Sequence, residues 1–117
     1  MNGPVKKNVL FICDNNRSRS PTAEYIFNNN VTYSEKYSAK SAGIYEESMK
    51  QLTEELLLWA DMIFVFEKDY IREIMKRFPK YRFHAMMVNL DIPDVCYYMD
   101  PELIYLIREK TKSHLQL

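Results

Sequence analysis

The apolar positions of this chain follow two alternating rhythms. Val9-Leu10-Phe11-Ile12 is an unbroken apolar run of strand length, whereas Tyr70, Ile71, Ile74, Met75 and Phe78 recur at helical steps of three and four. Applied along the chain, these two patterns predict strands at about 8–13, 36–41, 61–66 and 83–90, and helices at about 20–29, 52–60, 68–78 and 101–113. Strand and helix alternate throughout. The expected fold class is therefore α/β: a single domain over residues 1–117, with a four-stranded parallel sheet, right-handed crossovers and helices on both faces. Lys36 to Ser41 is polar and alternating, which suits an edge strand, while Met62 to Phe66 reads as the most buried strand. Ser20 is expected to cap the first helix with Pro21 at its first position, and Asp100 to cap the last with Pro101 following. Pro79 should end the third helix. The tail from Thr111 to Leu117 is expected to fray, and Asn28-Asn29-Asn30 reads as a polar helix end without assigned function.

The first strand delivers Cys13 to its C-terminal edge, where ligand sites of open α/β sheets lie. The next residues, Asp14, Asn15, Asn16, Arg17 and Ser18, carry no large apolar side chain. They suit a phosphate loop between the first strand and the first helix, with amides turned inward as an anion nest at the positive end of that helix. Arg19 supplies a guanidinium fork that can grip two oxygens of a phosphoryl group, and Cys13 supplies a nucleophile. A buried structural cysteine followed by a solvated turn is the plain alternative. The preceding apolar strand and the following Ser-Pro helix start favour the phosphate reading.

These residues carry a resemblance. Val9-Leu10-Phe11-Ile12-Cys13 through Arg19-Ser20-Pro21-Thr22-Ala23-Glu24 resembles the low-molecular-weight protein tyrosine phosphatases, whose phosphate loop reads Cys-x5-Arg-Ser-Pro-x-Ala-Glu. Ser41-Ala42-Gly43, Ala60-Asp61 and Asp91-Ile92-Pro93-Asp94 continue it in order along the chain. The resemblance implies a phosphatase that hydrolyses phosphate monoesters, phosphotyrosine in proteins above all, through a cysteinyl-phosphate intermediate and without a cofactor or metal. Its partners would be a phosphorylated protein or a small phosphomonoester.

A phosphate monoester also needs its leaving oxygen protonated, so a carboxylic acid must reach the far side of the phosphoryl group. Asp91, Asp94 and Asp100 all lie before the last helix. By resemblance Asp94 matches the general acid best, in Ile92-Pro93-Asp94-Val95-Cys96-Tyr97-Tyr98; Asp100 looks like an ordinary helix start and Asp91 could hold a turn. The resemblance also implies that Ser20 donates to Cys13, that Asn16 stabilises the loop's left-handed turn, and that Tyr97 with Tyr98 walls a phenyl ring.

The chain also departs from the family. Asn15 stands where glycine is usual, and Ser18 replaces the second loop cysteine of many members, which removes their protective vicinal disulfide. The segment from Gly43 to Thr53 is short and keeps Tyr45 as its one aromatic. Val95-Cys96 interrupts the family's Asp-Pro-Tyr-Tyr run. Arg17 adds a second loop cation, for acidic or phosphorylated surfaces or for solvent.

Composition narrows the partners. Sixteen basic and sixteen acidic residues cancel, so no global field draws the chain to nucleic acid or to an anionic membrane. No apolar run nears the ~20 residues of a membrane span. With two cysteines and no signal-peptide pattern at its start, the chain is expected in a reducing, cytoplasmic setting. Cys96 could pair with Cys13 on oxidation or be a half-buried thiol, and the latter is the simpler reading. His84 and His114 lack partners at metal-ligand spacing and read as structural. Lys68, Arg72, Lys76, Arg77, Lys80 and Arg82 read as a solvated helix face. Two other functions fit the same loop: a non-catalytic module that binds a phosphorylated ligand, and an arsenate reductase, which would call for more cysteines than this chain has.

Overall fold

The computed structural model describes residues 5–81 and 86–117. The order is β1 (Lys7–Cys13), α1 (Arg19–Asn29), α2 (Val31–Ser34), β2 (Tyr37–Gly43), α3 (Glu54–Trp59), β3 (Met62–Val65), α4 (Lys68–Arg77), β4 (Met86–Asn89) and α5 (Pro101–Thr111). Short 3₁₀ turns follow α4 at Pro79–Tyr81 and α5 at Lys112–His114. The four strands form one parallel sheet in the order β2-β1-β3-β4. From β1 the chain steps outward to β2, then crosses back to β3 on the other side. With right-handed crossovers this puts α1 on one face and α3 and α4 on the other, and α5 returns to pack on α1. The reversal leaves a crevice between the C-terminal ends of β1 and β3, the place where such sheets bind ligands.

The central strands are apolar on both faces because helices cover both. Val9 to Ile12 and Phe64 to Phe66 are fully buried, and Phe11 stacks on Phe64 while its ring edge meets Phe27. Strand β2 is an edge strand, as its polar alternation predicts, and its free edge is blunted by the first helix. The Asn28 carboxamide donates to the Ala39 carbonyl and accepts from the Ala39 amide, both at 2.9 Å, as a neighbouring strand would. Asn30 caps α2 by accepting from Thr32 N. The asparagine run thus has structural work that its polarity concealed.

Two further expectations change, and a third falls partly outside the described residues. The first helix begins at Arg19, with Ser18 at the cap position and no side-chain cap bond, because the hydroxyls of Ser18 and Ser20 are both engaged at the site. The tail does not fray through Gln116: Thr111 is buried, the His114 ring edge meets Phe64, and Gln116 N donates to the Tyr37 hydroxyl. Strand β4 is described only from Met86, so the predicted start at 83, His84 and Arg82 lie outside the described residues. The other basic residues near α4 form a solvated, partly self-paired face, with Arg72 beside Asp69 and Arg77 bonded to Glu73. Asp100 caps α5 as expected, accepting from Glu102 N. No helix among the described residues is long and apolar enough to cross a membrane.

Candidate active site

Strand β1 ends at Cys13, opposite Gly43 of β2. The loop that follows is fastened from outside by the short segment after β2. The Asp14 carbonyl accepts from Ile44 N, Tyr45 N and the Ser48 hydroxyl, and the Asn15 carbonyl accepts from Met49 N. Gly43 is required by this closeness, since a Cβ there would lie 2.8 Å from the Asp14 carbonyl oxygen and closer still to Ser48. The brevity of the Gly43–Thr53 segment therefore serves the loop: it runs directly against it.

Within the loop, Cys13 Sγ lies 2.9 Å from Ser20 Oγ, and both residues are buried. Asn16 is buried with φ of 56°, a left-handed turn that asparagine tolerates. Its amide donates to Ser20 Oγ and to Ser41 Oγ, each at 2.9 Å. Arg17 is exposed. The Asp14 carboxylate accepts from Asn15 N at 2.7 Å and lies 3.4 Å from Arg19 Nη2.

Arg19 is fully buried and is held on three sides. Its Nη1 donates to Glu67 Oε2 and to the Ile92 carbonyl, both at 2.8 Å, and its Nη2 donates to the Tyr70 hydroxyl at 3.1 Å. The Tyr70 hydroxyl in turn donates to Glu67. Burial by itself would lower the Arg19 pKa, but the Glu67 bond and the Tyr70 contact raise it above the ordinary arginine value. Burial, then the bond to Glu67, pushes the Tyr70 phenol up as well. Nε of Arg19 is left as a buried donor with no hydrogen-bond partner. A buried orphan donor on a cation is costly unless an anion meets it.

Of the three candidate acids, Asp94 is the one whose carboxylate reaches the loop. It accepts from Ser18 Oγ at 3.2 Å and lies 3.8 Å from Arg19 Nε, with its side chain 48% exposed. Asp100 is occupied as the α5 cap. Asp91 adopts φ of 53° and offers its carbonyl to Lys110. The acid loop is pinned near its ends, by Ile92 N to the Phe66 carbonyl and by Met99 N to Thr22 Oγ1. Beside the loop a cleft of about 410 Å³ is lined by Arg17, Met49, Lys50 and Tyr98 among others. Tyr98 lines that cleft; Tyr97 does not and stands out into solvent. Both cysteines are free, and partial desolvation together with the Asp100 carboxylate pushes the Cys96 thiol up. Among the described residues no group of three or more His, Cys, Asp or Glu is placed to hold a metal ion.

Sequence reasoning did not single out Glu67 and Tyr70, which fix Arg19, or Glu24 as a partner of Ser41. Glu67 follows β3 at the same sheet edge as the loop, a position that strand order would have flagged. Tyr70 carried no such signal, because a tyrosine at an apolar helical position reads as core, and Glu24 stands in the Arg-Ser-Pro-x-Ala-Glu stretch with nothing local to mark Ser41 as its partner.

No curated protein matches the chain at a significant level. Residues 8–57 match the family model described as low molecular weight phosphotyrosine protein phosphatase. Among solved structures, a YwlE mutant from Bacillus subtilis is similar with a TM-score of 0.70 and 21% identity, covering 93% of this chain and 99% of that one. SP-PTP, a low molecular weight protein tyrosine phosphatase from Streptococcus pyogenes, has a TM-score of 0.71 at 20% identity, covering 95% and 94%. The YwlE arginine phosphatase from Geobacillus stearothermophilus has a TM-score of 0.65 at 19% identity, covering 95% and 99%. The resemblance read in the loop thus holds: residues 8–57 carry the pattern of the low molecular weight phosphotyrosine protein phosphatases, and the described chain as a whole has their fold.

Proposed function

We propose that this protein is a phosphatase that hydrolyses phosphate monoesters, phosphotyrosine in proteins foremost, through a phosphate held covalently on Cys13. The observation that carries this reading is the meeting of three groups at one sheet edge: the Cys13 thiol, the unpartnered Nε of buried Arg19, and the Asp94 carboxylate. Cys13 attacks phosphorus in line with the leaving oxygen. Arg19 Nε and the amides of residues 14 to 19 hold the non-bridging oxygens as charge shifts in the transition state. Asp94 protonates the leaving phenolate, then takes a proton from the water that cleaves the cysteinyl-phosphate. The Ser20 hydroxyl steadies the sulfur as it departs. Tyr98 and Met49 give the neighbouring cleft an apolar wall that suits a phenyl ring.

The test is hydrolysis of p-nitrophenyl phosphate and of phosphotyrosine and phosphoarginine peptides, metal-free with reductant, from about pH 5 to 8. The native chain should turn over the aryl phosphate and the phosphotyrosine peptide, with Cys13→Ser inactive and Asp94→Asn slowed. Preference for the phosphoarginine peptide would reassign the substrate. Phosphopeptide binding without turnover would make the protein a binding module, and arsenate-dependent oxidation of thioredoxin would make it a reductase.

A further inference from the structure

We propose that Glu24 is a positioning residue that fixes the direction of a buried hydrogen-bond chain and thereby makes the Ser20 hydroxyl donate to Cys13. The inference rests on the reading of Cys13 as nucleophile. The chain runs Cys13, Ser20, Asn16, Ser41, Glu24, and ends at Lys50, whose Nζ lies 3.5 Å from Glu24 Oε1. Ser20, Asn16 and Ser41 are buried, while the Glu24 and Lys50 side chains are partly exposed.

Donors and acceptors decide the direction. A carboxylate can only accept, so Ser41 must donate to Glu24 and present its lone pairs to Asn16. The Asn16 amide then offers one N–H to Ser41 and the other to Ser20. Ser20 Oγ is thereby an acceptor from Asn16, and its own proton is left for Cys13 Sγ at 2.9 Å; the Ala42 carbonyl, at 3.4 Å, is the poorer alternative. Turned over, Asn16 would show its carbonyl to both hydroxyls. Ser20 would then donate to Asn16 and leave the sulfur without that proton. The carboxylate of Glu24 excludes the turned-over arrangement, because Ser41 cannot donate to Glu24 and to an Asn16 carbonyl at once.

Replacing the carboxylate by an amide removes this constraint, since glutamine can donate to Ser41 as readily as accept. The charged groups that face Glu24 across the neighbouring cleft are Lys50 and Arg17, with the Tyr98 phenol beyond. Lys50→Met keeps the acceptor while deleting the ion pair, so it separates the two roles.

The readout is the rate of Cys13 alkylation by iodoacetamide, followed on the Cys13 peptide by mass spectrometry from about pH 6 to 9, which needs no turnover. Glu24→Gln should be alkylated about tenfold more slowly at pH 7, the worth of one hydrogen bond to a charged group. Lys50→Met should stay within about twofold of native. Ser41→Ala, which breaks the chain at its middle, should repeat the slowing and serves if Glu24→Gln does not fold. Native alkylation rates in Glu24→Gln or Ser41→Ala would overturn the proposal, as would equal slowing in Lys50→Met. Because the assay reads the thiol alone, absence of phosphatase activity in the native chain would count against the phosphatase reading without touching this result.

Discussion

In the loop of residues 13–20, Cys13, Asn16, Arg19 and Ser20 are buried and interlocked. In the loop of residues 91–100 that faces it, Asp94, Val95, Tyr97 and Tyr98 are exposed. The first loop is tied by side chains from β2, β3's C-terminal end, α1 and α4, whereas the second is pinned near its ends and held in between by the exposed bond from Ser18 to Asp94. The contrast matches the two tasks. Groups that stabilise charge on phosphorus gain most from being fixed before the substrate arrives, because nothing need reorganise during reaction. An acid that must meet leaving groups of different size, then admit water, is better placed on a loop that can yield.

The sharpest way to break the contrast is to loosen the fixed side. Arg19→Lys keeps the charge but cannot reach Glu67, the Ile92 carbonyl and Tyr70 together, so kcat/KM should fall about 10³-fold, with a lower unfolding midpoint in denaturant. On the yielding side, Asp94→Asn should cost about 10²-fold in kcat with phenyl phosphate and less with p-nitrophenyl phosphate, whose leaving group needs a proton less. Its unfolding free energy should stay within about 0.5 kcal/mol of native, since the Asp94 side chain is 48% exposed and its hydrogen bond to Ser18 lies at the surface. A large stability loss in Asp94→Asn would show that the acid loop is as rigid as its partner.

Gly43→Ala presses a methyl group into Asp14 and Ser48 and should destabilise by about 2 kcal/mol, read by thermal unfolding. Tyr70→Phe is the mildest case. At neutral pH it loses a hydroxyl shared by Arg19 and Glu67, about 1 kcal/mol. Its signature is alkaline. The native Tyr70 phenol is held above its ordinary pKa of 10.0, so the folded state keeps that proton more tightly than the unfolded chain. That share of stability is whole below about pH 10 and is lost as pH rises toward the raised value, so Tyr70→Phe should show a shallower alkaline decline in urea titrations.

The sequence showed the fixed loop well and the rest of the site less well, for a physical reason. Cys13, Asn16, Arg19, Ser20 and Pro21 sit within one stretch, where strand, turn and helix start each impose a local pattern. What orients Arg19 comes from Glu67 and Tyr70, about fifty residues later, and only the sheet order β2-β1-β3-β4 brings them together. The same limit explains the helix start. Ser20 has the composition of a cap, yet its hydroxyl serves Cys13 and Asn16, and the site overrides the local preference. The tail was misjudged because its anchor, the Tyr37 hydroxyl, lies 79 positions away.

The central claim, that phosphate passes through Cys13, is tested most directly by acid-quenching Asp94→Asn during turnover of p-nitrophenyl phosphate and mapping phosphate by mass spectrometry. That leaving group departs with little help, while the water step still needs the missing base, so the account predicts phosphate accumulating on the Cys13 peptide. Turnover with no phosphate on Cys13, or with phosphate on another residue, would contradict it.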